Sequence, residues 1–409
     1  MAAGLERRAT MGAAALNFFV RCGFGLILPG LPLYIRAHAI PVPDLGLASA
    51  SYMAFGIGGM MLLAPLSDRL GHVRALVGGG ILYLAGTLVL LALPSAPSLL
   101  AGRALQGLAM ALTTPATFAY ITDRVAPERR GGAYGTVASA QMAGFIVGPS
   151  AGGLALSLGG TTAALSVALA ASLLALGAAL ALPTGGLAGV EPTLPVQGAS
   201  LPPARPLGAL ATLFAAPWAL AFVAFTIGQQ IPMGVYDSVW SLYMFHLGAR
   251  PWLVGASFAT WALPLVVLAP LIGRRVSPAR AERWLAGGGV VMALAALTYA
   301  VLRNPYAVAA VGALEGAGSA AIMPLTNVYV AARVPSGRLA GAQGVLGAIG
   351  QAAALLAAVA SGYTFAVRPW LPFVIAAGGL MVGSVWFYQR EAARRGRPAL
   401  VDGERGVAG

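Results

Sequence analysis

Ala64-Pro65-Leu66-Ser67-Asp68-Arg69-Leu70-Gly71-His72-Val73-Arg74 is a short charged turn between two long apolar segments. Its skeleton returns in the second half of the chain as Ala269-Pro270-Leu271-Ile272-Gly273-Arg274-Arg275. A charged hinge repeated inside a hydrophobic chain is the mark of an internal duplication.

Composition sets the surroundings of that hinge. The 409 residues are 58% hydrophobic and only 9% charged, against roughly 25% charged in a soluble domain. Most of the outer surface must therefore face lipid. Apolar runs of about 20 residues cross a bilayer as helices. Twelve are predicted, at 12–35, 45–66, 75–94, 98–122, 132–157, 161–182, 212–245, 251–272, 283–302, 305–331, 340–362 and 369–389. The fold class is all-α integral membrane. The seventh run is too long for one crossing and should open with an interfacial turn near Trp218. A β-barrel would need short alternating segments, which the sequence lacks.

The net charge of +13 does not form a nucleic-acid patch. All 25 basic residues are Arg. Nineteen fall on the side of the N-terminus and four (Arg36, Arg250, Arg303 and Arg368) on the other. That asymmetry predicts both termini in the cytoplasm, with some attraction to anionic lipid. An Arg-only, Ala- and Gly-heavy composition points to a GC-rich genome and a bacterial inner membrane. Cys22 is the sole cysteine, so an internal disulfide is excluded. Ala37-His38-Ala39 resembles a signal-peptidase site, but the run before it is too long and carries Arg21, Pro29 and Pro32. It reads as a first transmembrane helix.

Prolines 183, 192, 195, 202, 203 and 206 break the pattern. Residues 183–208 read as a cytoplasmic linker. It separates an N-terminal six-helix bundle (1–182) from a C-terminal one (209–389), followed by a tail (390–409). The halves align at one constant offset. Leu105-Gln106-Gly107 matches Leu314-Glu315-Gly316, and Tyr34, Pro115, Tyr120 and Arg124 match Tyr243, Pro324, Tyr329 and Arg333. Six spans each give both repeats the same orientation. They should be pseudo-symmetric about an axis along the membrane normal, with a path between them.

Several motifs resemble those of the major facilitator superfamily. In the first turn, Leu66, Asp68, Arg69 and Gly71 match G-x-L-a-D-R-x-G-R-[K/R], while Ala64, His72 and Val73 depart from it. Leu99, Arg103, Gln106 and Gly107 match L-x(3)-R-x(2)-Q-G of the fourth helix. Gly144, Gly148, Pro149, Gly152 and Gly153 match G-x(3)-G-P-x(2)-G-G, a signature of the family's proton-coupled exporters. The resemblance implies a monomeric secondary transporter working by alternating access. Its implied function is proton-coupled, multidrug-type efflux of small amphipathic compounds. A transporter of one polar metabolite (a sugar, amino acid or metallophore) is the alternative. A scaffold has little reason to retain intramembrane charges.

Charges inside spans are costly, and they mark pathways. The four are Arg21, Arg103, Asp237 and Glu315. A carboxyl in a low-dielectric cavity can exchange a proton, so these four are the candidate coupling residues. Arg21 either pairs with Glu315 or holds an anionic substrate group. Asp68, Arg69 and Asp123 are expected to latch the cytoplasmic side shut. The glycines of the fifth helix permit close packing and Pro149 a bend, which together gate the rocking motion. The resemblance implies that helices 1, 4, 7 and 10 line the path. Their candidate substrate contacts are Asn17, Arg21, Phe24, Phe118, Gln229, Gln230, Tyr236, Trp240, Asn327 and Tyr329. Besides protons, the expected partners are a small-molecule substrate and membrane lipid.

Enzyme chemistry is not expected. His38, His72 and His246 have no metal-ligand spacing. The absence of Lys excludes a phosphate loop ending in Lys-Ser/Thr. No cofactor, metal or nucleic acid is expected.

Overall fold

In the computed structural model the described residues are 2–184, 218–277, 280–334 and 336–395. The predicted linker beyond Thr184, the turn before Trp218 and the tail beyond Arg395 lie outside them.

The described chain is helical, with no strand. Its helices are α1 (Ala2–Ile27), α2 (Leu31–Ala37), α3 (Pro43–Leu70), α4 (His72–Ala92), α5 (Ala96–Arg124) and α6 (Pro127–Leu180). The second half continues as α7 (Ala219–His246), α8 (Pro251–Arg275), α9 (Ala281–Val301), α10 (Pro305–Ala331), α11 (Ser336–Val367) and α12 (Leu371–Arg395). Among the described residues, nine helices are long and apolar enough to cross a membrane. One of them, α6, makes two passes, turning at Gly159 and Gly160. Gly160 sits at φ +65°, where a side chain would be strained. With α3 and α5, of 28 and 29 residues, the passes number twelve. This is a multi-pass membrane protein. The even number puts both described ends on one side, the terminal face.

Several boundaries differ from the sequence reading, among them the start of α6 at Pro127 and the end of α12 at Arg395, and two of the differences change contacts. The first segment is not one helix over 12–35. It starts at Ala2, ten residues early, and stops at Ile27 ahead of Pro29, with α2 a separate short helix. The early start carries Glu6 out to accept from Nε and Nη2 of Arg129, at 2.8 Å each. The charged hinge is a single residue: α3 runs to Leu70, Gly71 turns at φ +86°, and α4 begins at His72. A left-handed turn this tight favours glycine.

The halves repeat each other contact by contact. Tyr34 donates from α2 to the Leu90 carbonyl, and its counterpart Tyr243 donates to the Tyr299 carbonyl. A Cβ on Gly107 would strike the Tyr52 carbonyl, and one on Gly316 the equivalent Trp261 carbonyl. At the terminal face Arg124 lies over the Tyr120 ring and Arg333 over the Tyr329 ring, 4.2 and 3.7 Å from the centroids. This is the pseudo-symmetry expected from the sequence.

The glycines of α6 serve two faces. Added side chains at Gly144, Gly148 and Gly152 would collide with the carbonyls of Phe18, Cys22 and Leu26, one turn apart on the parallel α1. Cys22 is buried in that seam. Pro149 packs its ring on Gly25 of α1 and turns its carbonyl to Gly255 of α8, while Gly153 meets Pro251 of α8, in the other half.

The contacts described between halves share a depth. Gly46 abuts Ala358, Gly362 abuts Pro43, and Ala50 and Met53 cluster with Ala354 and Ala358. Together with the α6–α8 seam, these lie far from the terminal face. The halves therefore close on the opposite side and part toward the terminal face.

Candidate functional site

α7 brings an acid to the seam because its polar positions Gln229, Gln230, Tyr236 and Asp237 interrupt an otherwise apolar helix. Asp237 reaches Arg103 of α5, with Nη2 and Oδ2 3.8 Å apart, and both side chains are buried. Arg103 is wholly enclosed. Its guanidinium lies 4.9 Å from the Phe24 ring centroid and 4.7 Å from that of Tyr52, and Nη1 donates to Gln106 at 3.2 Å. Cation–π contacts of this kind strengthen when water is excluded. The Asp237 backbone carbonyl also accepts from Ser49 of α3 at 3.2 Å. One pair of side chains and one backbone bond thus tie α7 to the first half.

Beside this pair is a cavity at the seam of the halves. Its walls are Leu28, Phe145, Met233, Tyr236, Asp237, Trp240, Ser257, Phe258, Trp261, Tyr299, Gly312 and Glu315. Glu315 is buried on α10, and its Oε2 accepts from the Tyr299 hydroxyl at 2.7 Å. Its Oε1 has no hydrogen-bond partner among the described residues. The Trp240 indole donates to Ser257 at 2.8 Å, which fixes its ring edge-on to Tyr236 and Tyr299. Phe145 meets Trp261 across the halves, with centroids 6.0 Å apart. Two carboxylates and a cage of aromatic rings therefore share one chamber.

The sequence candidates divide by location. Asp237, Glu315, Tyr236 and Trp240 line the chamber, and Phe24 and Arg103 stand just behind it. Asn17 is occupied elsewhere: Nδ2 donates to Thr117 at 2.9 Å, and Oδ1 accepts from Gln141 at 2.7 Å. Phe118 packs edge-on to Tyr134. Gln230 rests against Gly350, and Gln229 is half-buried outside the chamber wall. Asn327 is exposed and bonds Gln343 at 3.4 Å. Tyr329 is not a lining residue; it is buried among Trp218, Phe222 and Phe387 near the terminal face. Arg21 and Glu315 make no ion pair with each other among the described residues, and Glu315 is held by tyrosine.

Phe145, Trp261 and Tyr299 lie outside the helices expected to line the path. A sequence signal existed for Tyr299, a lone hydroxyl ring near the end of the apolar run of α9. Phe145 and Trp261 gave none, because they are exposed to the chamber only through the α6–α8 crossing.

At the terminal face, Asp123 pairs with His72 at 3.2 Å, inside the first half. Arg69 is exposed, and the Asp68 side chain lies outside the described residues. In this open arrangement no ion pair of Arg69 or Asp123 crosses between halves among the described residues.

The comparisons agree with this architecture. The family model of the Major Facilitator Superfamily matches residues 13–304 and 233–407. The chloramphenicol resistance protein of Pseudomonas aeruginosa is 31% identical over 133 residues, 32% of either chain. Multidrug resistance protein 2 of Bacillus subtilis is 29% identical over 148 residues, 35% of this chain and 36% of that one. The quinolone resistance protein NorA of Staphylococcus aureus is 27% identical over 140 residues, 33% of this chain and 35% of its own. Each match spans only about a third of the relative's length. The solved nucleoside transporter NupG superposes with a TM-score of 0.75 at 14% identity, over 94% of this chain and 99% of its own. At that identity the likeness is one of fold. Twelve passes in two repeated halves, a chamber at their seam and a family match along the chain converge: the protein belongs to the Major Facilitator Superfamily of transporters.

Proposed function

We propose that the protein exports small amphipathic compounds from the cytoplasm in exchange for protons, by alternating access. The observation that carries this reading is the pair of buried carboxylates, Asp237 and Glu315, in the wall of one aromatic chamber at the seam. Asp237 is balanced by Arg103. Glu315 has only a tyrosine hydroxyl. An ionised carboxylate in that position needs a counter-charge. A proton supplies one, and a cationic group on a substrate supplies another, so the two compete. The rings offer apolar area and π-faces to a lipophilic body.

Direction is supported by the names of the relatives, which are resistance proteins for chloramphenicol, quinolones and multiple drugs. The arginine bias supports a cytoplasmic terminal face. The open side of the structure would then accept substrate from the cytoplasm, and the closed α6–α8 and α3–α11 seams would open on release. Asp68, Arg69 and Asp123 would meet in the opposite state, when the terminal face closes.

The test uses everted vesicles with an acid interior and a pH-sensitive dye, challenged with lipophilic cations, neutral drugs, amphoteric compounds and sugars. Compound-specific dissipation of the gradient, lost in Glu315→Gln, is expected. Dissipation by a single sugar or amino acid would favour the metabolite reading. No response to any compound would overturn proton-coupled export across that panel.

A further inference from the structure

Of the four charges inside spans, three have partners: Arg103 with Asp237, and Glu315 with Tyr299. Arg21 does not. Among the described residues it makes no ion pair and no hydrogen bond, and it is half-buried rather than sealed. Its position is fixed all the same. The α1–α6 seam holds its Cβ against Gly144, where an added methyl would approach it to 3.0 Å. One turn nearer the terminal face, Asn17 and Gln141 bond each other across the same two helices. The residue after Gly144 on α6, Phe145, begins the chamber wall. Leu28, which lines the chamber just past the end of α1, is seven positions beyond Arg21, about 10 Å at helical rise. Arg21 thus lies beside the chamber wall, on the side of the terminal face.

Arg103 already takes Asp237 and Tyr299 holds Glu315, which leaves the Arg21 charge without an acid among the described residues. The seam amides cannot relieve it. Asn17 spends its amide on Ala13 and Thr117 and its oxygen on Gln141. A guanidinium in a low-dielectric path without a counter-ion is costly, and it presents a planar fork matched to a carboxylate.

We propose that Arg21 is an anion-recognition site and that the transported compounds carry a carboxylate on an apolar body. The carboxylate docks on the Arg21 fork while the body enters the ring cage formed with Phe145 and Trp261. This rests on the transport reading above and narrows its substrate class to amphiphilic acids and zwitterions. Binding at Arg21 supplies the missing negative charge, so acids are favoured over neutral compounds of the same shape.

The test is a matched pair of fluorescent probes, dansylglycine and dansylglycinamide, which differ only in carboxylate against amide. Binding is titrated on the purified full-length protein in detergent, for wild type, Arg21→Gln and Arg21→Lys. Wild type is expected to prefer the acid by roughly tenfold or more, the scale of one charge-assisted hydrogen bond. Arg21→Gln should lose the preference while its affinity for the amide stays within about twofold of wild type. Arg21→Lys should keep part of the preference, which covers the case in which the glutamine variant does not fold. Equal affinity of wild type for the two probes, no binding of either, or an unchanged preference in Arg21→Gln overturns the proposal. The titration needs no gradient. Failure of the vesicle experiment with a retained acid preference strikes proton coupling and leaves Arg21 standing, and the converse result strikes Arg21 alone.

Discussion

Arg103 and Asp237 meet across the two halves, with Nη2 and Oδ2 3.8 Å apart and both side chains buried. Among the described residues it is the sole ion pair that spans the seam. It lies beside the chamber that also holds Glu315. Any movement that opens the far side must lengthen or break it.

Removing one member of a buried pair leaves an uncompensated charge, at a cost of about 3 kcal/mol. Arg103→Gln is therefore expected to lower thermal stability in detergent sharply, and Asp237→Asn less, since Arg103 keeps Gln106 and two rings. The double variant should recover on the order of 1 kcal/mol relative to the sum of the singles. Strict additivity in thermal unfolding would mean that the two side chains do not interact.

Tyr299→Phe removes the hydroxyl that holds Glu315. Loss of such a bond to a buried group costs about 1–3 kcal/mol. The rings around it should stay in place, because Trp240 is held separately by Ser257. Expected are a modest drop in stability and impaired dye-detected exchange in the vesicle assay. Unchanged exchange would remove Tyr299 from the functional chamber.

Two glycine substitutions separate packing from gating. Gly148→Ala forces a methyl into the Cys22 backbone within the first half. It should cost about 1–3 kcal/mol of stability. Gly255→Ala forces a methyl against Pro149 and Gly153 across the halves. It should instead push the far seam apart and favour the state open there. Maleimide labelling of a cysteine placed at Ala50, in a background lacking Cys22, reads that shift. Faster labelling is expected with Gly255→Ala but not with Gly148→Ala.

The two terminal-face arginines should differ in weight. Arg124 bonds the carbonyls of Pro183 and Thr184, at 3.2 and 3.1 Å. Arg333 bonds Glu282 and Glu391, at 3.3 and 2.9 Å, and both acids are buried. Arg333→Ala removes the cation that two buried acids share and should cost about 3 kcal/mol or more. Arg124→Ala should cost about 1 kcal/mol, the scale of neutral hydrogen bonds. Equal thermal shifts would refute this ranking.

The sequence by itself determined the membrane class, the number of passes and the duplication. Those follow from local hydrophobicity and from residue types repeated along the chain. It also located the four intramembrane charges, because an arginine or acid inside an apolar run stands out against its neighbours. It did not determine which charges meet. Arg21 and Glu315 were as plausible a pair as Arg103 and Asp237, since pairing depends on how α1, α5, α7 and α10 cross. Nor did it reveal that Tyr329 is buried near the terminal face while Tyr299 holds Glu315. Both are tyrosines in apolar helices, and only the rotation of each helix about its axis decides which ring reaches the chamber. The seam glycines show the same division. Their spacing announced close packing, but only the assembled bundle assigned Gly144, Gly148 and Gly152 to α1, and Gly153 to the other half. Hydrophobicity acts residue by residue and can be read along a chain. Charge pairing and cavity lining depend on distances between distant segments, which exist only once the helices have packed.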